Sequence, residues 1–543
     1  MSEHCKLWWR DGVIYQIYPR SFQDSNGDGV GDLAGISSRL DYVATLGVDA
    51  IWISPFYPSP MADFGYDVAD YTGVDPLFGT IDDFDALLAG AHARNLKVIL
   101  DFVPNHTSDQ HPWFLESRSS RDNPKRDWYL WRDGNEGRVP NNWMSNFGGT
   151  AWTYDEITRQ FYYHSFLTQQ PDLNWRNPEV RAAIFAAMRF WLDKGVDGFR
   201  MDVLWLLIKD DQFRSNPPNP DFNGGSSFWS ILPTYTADQP ETHEIVRQMR
   251  ALVDEYSERV LIGEIYLPID ELVRYYEPGD TASSGYLETP HLHGAQLPFN
   301  FHLIQTAWQA DLIAELIRSY EAALPPGAWP NWVLGNHDQH RLATRIGAAQ
   351  ARVAAMLILT LRGTPTLYYG DELGMTDATI TPDQVQDPAE KNQPGQGFGR
   401  DPERSPMLWD ETPNAGFTSA PTPWLPLVDE HVRISVTAEE AAPRSFLHLY
   451  RALLTLRSAT PALHCGTVTE VISPSEVLTY TRAGEAERYQ IHLNFTNETK
   501  WIDSPKGTLI LSTYLDQQDR PWIEWMQLRP NEGVVIKLNE SPQ

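Results

Sequence analysis

The sequence predicts an α/β protein: a (β/α)8 TIM barrel with an inserted small domain after strand 3 and a C-terminal antiparallel β-sandwich domain. Three observations lead there. Short, almost wholly apolar runs alternate with helical patterns over roughly 400 residues, which implies a parallel sheet covered by helices and, at that length, a barrel rather than an open sheet. A long stretch rich in Trp, Asn, Asp and Arg breaks the rhythm after "DFVPNH". From about Pro461 the helical pattern stops, and "TVTEVISPSEVLTYTR" and "RYQIHLNFTN" alternate with turn residues as antiparallel strands do.

Near the N-terminus, "DSNGDGVGD" (24–32) places oxygen side chains at Asp24, Asn26 and Asp28, with Gly29 where an EF-hand needs its sharp turn. An EF-hand would require a bidentate Glu at the twelfth position, which is Gly35, and "IYPRSFQ" before the loop reads as a strand end, not a helix. The oxygens of Asp24, Asn26, Asp28 and Asp32 with the carbonyl of Val30 still suffice to enclose one hard cation, a structural Ca2+. The competing reading is a solvated Asp/Gly turn with no ion.

"VDAIWISP" reads as a buried strand, and "TIDDFDALLAGAHARN" as an amphipathic helix opening on a Thr cap and an acidic first turn. "LKVILDFV" is the next strand. The stretch that follows, to about Trp175, is too long for a simple loop and is expected to be a domain of its own. "PEVRAAIFAAMRFWLDKG" is a helix with Pro at its start and Gly just past its end. "VDGFRMDV", "RVLIGEIY" and "NWVLGNHD" are further strands, and "NPPNPDFNGG" is an excursion after the first of them. The expected division is a catalytic barrel over 1–105 and 175–460, an inserted domain over 106–174 and a β domain over 461–543.

With 43 Lys and Arg against 72 Asp and Glu, the net charge of −29 argues against nucleic acid or an anionic membrane as partner. No run of about 18 apolar residues is present, so no membrane span is expected. The opening "MSEHCKLWWRDGVIYQ" lacks a basic segment followed by an apolar run. With only Cys5 and Cys465, it suggests a cytoplasmic, reducing location. The glycosylation-like "NFT" and "NET" at Asn494 and Asn497 are then chance matches.

The informative pattern is polar residues at the C-terminal ends of apolar strands, where barrel enzymes build their sites. In "GFRMDV", Arg200 and Asp202 are two apart and share a strand face, with Val203 on the other. A charged pair in so apolar a strand is either a structural ion pair or functional. Arg200 beside it should hold Asp202 ionised, as a nucleophile must be. Glu264 ends "VLIGE", where apolar surroundings suit a general acid. Asp338 follows Asn336 and His337, while Asp101, Asn105 and His106 lie along "LDFVPNH". One ionised and one protonated carboxyl are the minimum for glycoside hydrolysis.

"DFVPNH", "GFRMDV", "GEIY" and "GNHD" resemble, in this order, the four signature regions of glycoside hydrolase family 13, the α-amylase family. "QPDLNW", "DFGYD" and "GRDPERSPMLWD" resemble its oligo-1,6-glucosidase branch, and the likeness runs from "WWRDGVIYQ" to beyond Trp409. The resemblance implies catalytic roles for Asp202 (nucleophile), Glu264 (acid, then base) and Asp338 (gripping the sugar hydroxyls). It implies substrate contacts from His106, His337 and Tyr66, and a non-reducing end closed by Asp63 and Arg400. It places Phe147 and Phe166 near the leaving group, although packing within the small domain explains them equally. It also puts the cation loop after the first barrel strand, away from the sugar. A retaining, exo-acting α-glucosidase acting on small oligosaccharides or α-glucosides is expected, a monomer or weak homo-oligomer without organic cofactor. In this branch Val after the nucleophile accompanies α-1,6 preference, so Val203 points to isomaltose-type substrates. Alternatives are an α-1,4-preferring maltase, and a related glucosyltransferase or isomerase of the trehalose synthase or sucrose isomerase type, in which transglycosylation replaces hydrolysis. A non-catalytic transporter partner of the same fold would have lost carboxylates that this chain retains.

Overall fold

The structure is a computed structural model describing residues 7–277, 292–429, 431–503, 505–518, 520–522 and 525–539. Strands β1 (Ile14–Ile17), β2 (Ala50–Ile53) and β3 (Lys97–Phe102) pair in parallel. The chain then leaves the sheet and forms three short antiparallel strands, β4 (Trp131–Arg132), β5 (Trp152–Asp155) and β6 (Gln160–Tyr163), in the order β4-β6-β5. It returns as β7 (Gly198–Met201), β8 (Val260–Ile265), β9 (Leu297–Asn300), β10 (Asn331–Val333) and β11 (Thr364–Tyr368). The hydrogen-bonded order is β10-β11-β1-β2-β3-β7-β8-β9. Asn331 spans the seam between β9 and β10: its Oδ1 accepts the Asn300 N–H at 2.8 Å, and its amide donates to the Pro298 carbonyl. The eight strands thus form a barrel.

The C-terminal strands are β12 (Thr467–Ile472), β13 (Val477–Ala483), β14 (Arg488–Asn494), β15 (Lys500–Asp503), β16 (Gly507–Ser512), β17 (Arg520–Trp522), β18 (Trp525–Leu528) and β19 (Gly533–Leu538). They make one six-stranded sheet, β12-β13-β14-β19-β16-β17, and a β15-β18 pair, antiparallel throughout. The helical pattern outlasts Pro461 by one turn, Pro461–His464. Asn494 is buried and its amide donates to the Glu498 and Arg529 carbonyls, so its glycosylation-like triplet is not presented for modification. Among the described residues no helix is long and apolar enough to cross a membrane.

The helices follow from local chemistry. Thr80 caps Ile81–His92 in a reciprocal box with Asp83, and Phe84, Leu87, Leu88 and Ala91 recur at helical spacing on its buried face. Asn177 and Pro178 open the helix Pro178–Lys194, and Gly195, at φ 104°, closes it in the left-handed conformation that glycine adopts without strain. Its Val180, Ile184, Met188 and Trp191 are wholly buried; each large apolar side chain contributes roughly 1.5–3 kcal/mol by leaving water.

The barrel strands are buried on both faces, yet alternation persists within them. Ile14, Ala50, Trp52, Ile99, Val260, Ile262, Leu297 and Phe299 belong to one apolar cluster inside the barrel, while Tyr15, Ile51, Ile53, Val98, Leu100 and Leu261 belong to the layer beneath the helices. Followed toward the C-terminal strand ends, the inward stripe turns polar: Ile99 gives way to Asp101, Gly198 to Arg200, and Ile262 to Glu264.

Candidate active site

The polar ends of these inward stripes converge on Arg200. Its Nη1 donates to Asp101 Oδ1 at 2.8 Å and Asp202 Oδ1 at 2.7 Å, and its Nη2 faces Glu264 Oε2 at 2.8 Å. Arg200 is 1% exposed, and its guanidinium also lies 5.1 Å from the Trp52 ring centre. The strand-face argument for Asp202 needs correction, because β7 ends at Met201 and Asp202 lies just past it. Val203 is likewise not on an opposite strand face: it takes a left-handed conformation (φ 40°, ψ 45°), faces the same cavity as Asp202, and donates its N–H to Glu264 Oε2 at 2.8 Å.

One cation among three buried carboxyls cannot hold all three ionised. Burial pushes Asp101 up to about 6, against the pull of Arg200. Burial, then Glu264, pushes Asp202 well above the usual carboxylate range, and burial raises Glu264 too. The expectation that Arg200 simply keeps Asp202 ionised is therefore incomplete: Asp202 and Glu264 titrate as a pair over a shared guanidinium.

Asp338 is differently placed. Its Oδ1 accepts from Arg404 Nη2 at 2.8 Å and Arg400 Nη1 at 3.2 Å. Burial opposes its ionisation, but the adjoining Arg400 and Arg404 cations more than offset this and hold it well below the ordinary carboxylate range. Arg400 also reaches Asp63 Oδ1 at 2.7 Å and Asp387 Oδ1 at 2.8 Å. The amide nitrogen of Gln16 faces His337 Nδ1 at 2.8 Å, leaving the ring proton on Nε2, 2.6 Å from Tyr66 Oη. Tyr66 in turn donates to Asp101 Oδ2 at 3.0 Å and stacks on His337. Burial keeps both His337 and His106 neutral at physiological pH, the latter at about 4.

These groups surround a cavity of about 690 Å³. Asp63, Tyr66, His106, Phe147, Phe166, Asp202, Val203, Glu264, His337, Asp338 and Arg400 all line it, and Arg200 stands behind Asp202 and Glu264. Apolar residues line it as well: Phe147 meets Phe166 edge-on at 5.6 Å and lies 5.0 Å below the Arg400 guanidinium, and Trp205, Phe228, Trp229 and Tyr266 add to the wall. The excursion after β7 thus contributes directly, and it is fastened to the inserted segment by Asn141 and Asn142, which donate to the carbonyls of Phe213 and Asn216. Sequence reasoning passed over Arg404, Asp387, Trp205 and Lys209. Lys209 is wholly buried, donates to Asn105 Oδ1 at 2.7 Å and pairs with Asp172, locking the inserted segment onto the loop after β3. A lysine inside an apolar run, "LLIKDD", was the available signal.

The loop 24–32 stands apart from the cavity. Asp24 Oδ1 accepts the Asn26 N–H, Asn26 Oδ1 that of Asp28, and Asp28 Oδ1 that of Val30, each at 2.8 to 2.9 Å. Three successive Asx turns, with Gly27 and Gly29 at φ 81° and 93°, curl the loop on itself. Against the cost of burial, Asp24 is held ionised by Thr418 and by the N–H groups of Gly29, Gly27 and Asn26, and Asp32 caps the helix Leu33–Ser38. An all-oxygen donor set on a curled loop fits a hard cation. Before it, β1 ends at Ile17 and Pro19–Phe22 makes a single helical turn. His340, Asp377 and Glu403 form a separate cluster of potential metal ligands.

Comparison with known proteins agrees with this geometry. Residues 16–466 match the family model "Alpha amylase, catalytic domain". The chain is 43% identical to a probable alpha-glucosidase of Rhizobium meliloti over 92% of each chain. It is 36% identical to the oligo-1,6-glucosidase of Parageobacillus thermoglucosidasius over 98% of this chain and 99% of that one. The crystal structure of the alpha-glucosyl transfer enzyme XgtA superposes with a TM-score of 0.91 at 39% identity, over 98% of this chain and all of the other.

Proposed function

The chain belongs to the alpha-amylase family of glycoside hydrolases, and on that premise we propose that it is a retaining, exo-acting α-glucosidase releasing terminal glucose from short α-glucosides. The observation that carries the reading is the pairing of Asp202 and Glu264 across Arg200 in a cavity that Asp63, Arg400 and Asp338 cross at one side.

Asp202 Oδ1 is taken by Arg200, so Oδ2 attacks the anomeric carbon. Glu264 gives its proton to the departing glycosidic oxygen, and the C–O bond breaks as the β-glucosyl ester forms. Water then loses a proton to Glu264 and attacks the same carbon, Asp202 leaves as carboxylate, and glucose departs with its α configuration. Asp338, ionised by its arginines, accepts hydrogen bonds from sugar hydroxyls and gains strength as positive charge grows on the ring. His106 and His337, both neutral, hold hydroxyls without adding charge, and Tyr66 packs against the ring. Val203 narrows the entrance to the bond and favours α-1,6 linkages.

The apolar part of the cavity lining supports a second outcome from the same ester, capture by a sugar hydroxyl in place of water, which the likeness to a transfer enzyme also favours. Ca2+ in loop 24–32 would brace the first β–α connection without touching the sugar. The exposed free thiol of Cys465 suits a reducing, cytoplasmic setting, while Cys5 lies outside the described residues. We propose a monomer or weak homo-oligomer.

Proton NMR of the first turnovers on isomaltose is the test. α-Glucose should appear before mutarotation, and Asp202→Asn should stop turnover. The reducing unit of isomaltose is released as the anomeric mixture it already was, so first-formed β-glucose in excess of that share overturns the double displacement. Intact isomaltose beside cleaved maltose overturns the linkage, and rearranged sucrose or maltose moves the chain to the isomerase alternative.

A further inference from the structure

We propose that His340, Asp377 and Glu403 bind one divalent transition-metal ion, with zinc the best match to their donors. His340 Nδ1 lies 2.8 Å from Asp377 Oδ2 and 3.6 Å from Glu403 Oε2, and the three ligand atoms all fall within 4.8 Å of one another. A zinc ion bonded at about 2.0–2.2 Å spreads its ligand atoms by roughly 3–4 Å, so the cluster needs little adjustment to take one.

A second observation points to a ligand. Glu403 is 1% exposed, and its Oε2, the oxygen turned toward His340, has no hydrogen-bond partner among the described residues. A buried carboxylate oxygen left in that state is costly, and either a proton or a cation at that oxygen relieves the cost. Protonated His340 can neutralise only one of the two carboxylates facing it, whereas a dication neutralises both. Asp377 is already oriented, its Oδ1 accepting the Arg341 N–H at 2.8 Å while Oδ2 points to His340. The His340 side chain is 52% exposed, which leaves a path in from solvent. Two carboxylates and one imidazole with room for water suit zinc; calcium and magnesium prefer oxygen alone.

The three ligands come from the loop after β10, the loop after β11, and the turn Pro402–Arg404. The first carries His337 and Asp338; the last carries Arg404, which grips Asp338. The ion would tie the floor of the sugar pocket to the segment that clamps it.

The full chain, stripped with chelator and dialysed, is titrated with Zn2+ by calorimetry and with Co2+ by visible absorption. The wild type should take up one Zn2+ at this site and give a Co2+ d–d band, and its Tm should rise with Zn2+. His340→Ala and the isosteric Glu403→Gln should each lose that equivalent, the band and the Tm response, while Asp28→Ala, in the other loop, should keep all three. Circular dichroism of the metal-free variants guards against misfolding. No zinc uptake by the wild type, or uptake undiminished in both cluster variants, overturns the site and leaves an ion pair between His340 and its carboxylates.

Discussion

Val203 adopts φ 40°, a left-handed conformation that costs a β-branched residue on the order of 1–3 kcal/mol. Its N–H bond to Glu264 and its place between Asp202 and Leu204 enforce that conformation, so the strain is tied to the proposed catalytic pair. The side chain lines the cavity beside Asp202, within reach of the linkage to be cut. Val203→Ala removes two methyl groups there and widens the space around the linkage. The ratio of kcat/KM for isomaltose to that for maltose is expected to fall by about 10-fold or more, the usual worth of one or two methyls in a tight pocket. Parallel kinetics on the two disaccharides measure it, and an unchanged ratio assigns linkage choice to other wall residues such as Trp205.

Among the elements, β3, β7 and β8 do the organising, because period-two alternation brings Asp101, Arg200 and Glu264 to one rim. This has a pH consequence. Glu264 must carry a proton to act, so activity is lost as pH rises through its value; burial raises that value and moves the alkaline limb upward. Asp202 must be ionised, so activity is lost as pH falls through its value, which burial and then Glu264 also raise. Both limbs of kcat/KM should therefore lie above the ordinary carboxylate range of about 4. Glu264→Gln, assayed on an aryl glucoside whose leaving group needs no acid, should lose the alkaline limb. The acid limb should stay nearly in place, because Glu264 is already protonated there and Gln imitates that neutral form. An acid limb that falls sharply would show Glu264 ionised across it and overturn its assignment as the acid. The strand ends, and with them Asp101, Asp202 and Glu264, were legible in the sequence because each repeats a short local pattern: "LDF", "FRMD", "LIGE"; Asp63, Tyr66, Phe147, Phe166 and Arg400, on loops, were reached only through the family resemblance. Arg404 and Asp387 were not. They act through contacts with Asp338 and Arg400 made between irregular loops, and no periodicity marks which loop residues meet. Val203 was misplaced for a related reason, because an ideal strand was extended two residues past its end at Met201.

At the scale of the molecule, the barrel holds its first connection to a distant part of the chain. Asp24 N–H donates to the Phe417 carbonyl at 3.0 Å, Thr418 Oγ1 donates to Asp24 Oδ2, and Trp424 N–H donates to the Gly29 carbonyl at 2.9 Å. A side chain at Gly29 would meet the Thr422 carbonyl at 2.8 Å, so the two segments need this close approach. The loop 24–32 therefore joins the end of β1 to the stretch that follows Arg400 and Arg404. An ion held by Asp24, Asn26, Asp28, Val30 and Asp32 would stabilise that junction in proportion to its binding free energy, because the unfolded loop has no such site. Chelation is expected to lower the Tm, and Ca2+ to restore it. In Asp28→Ala, where the lost carboxylate is exposed, Ca2+ should no longer do so. In His340→Ala, restoration by Ca2+ but not by Zn2+ separates this loop from the His340 cluster. The proposed catalytic carboxyls lie elsewhere, so kcat measured well below the lowered Tm should hold nearly constant while thermal inactivation quickens. If chelation leaves the melting curve of the wild type unmoved, the Asx turns and the contacts to 417–424 hold the junction by themselves.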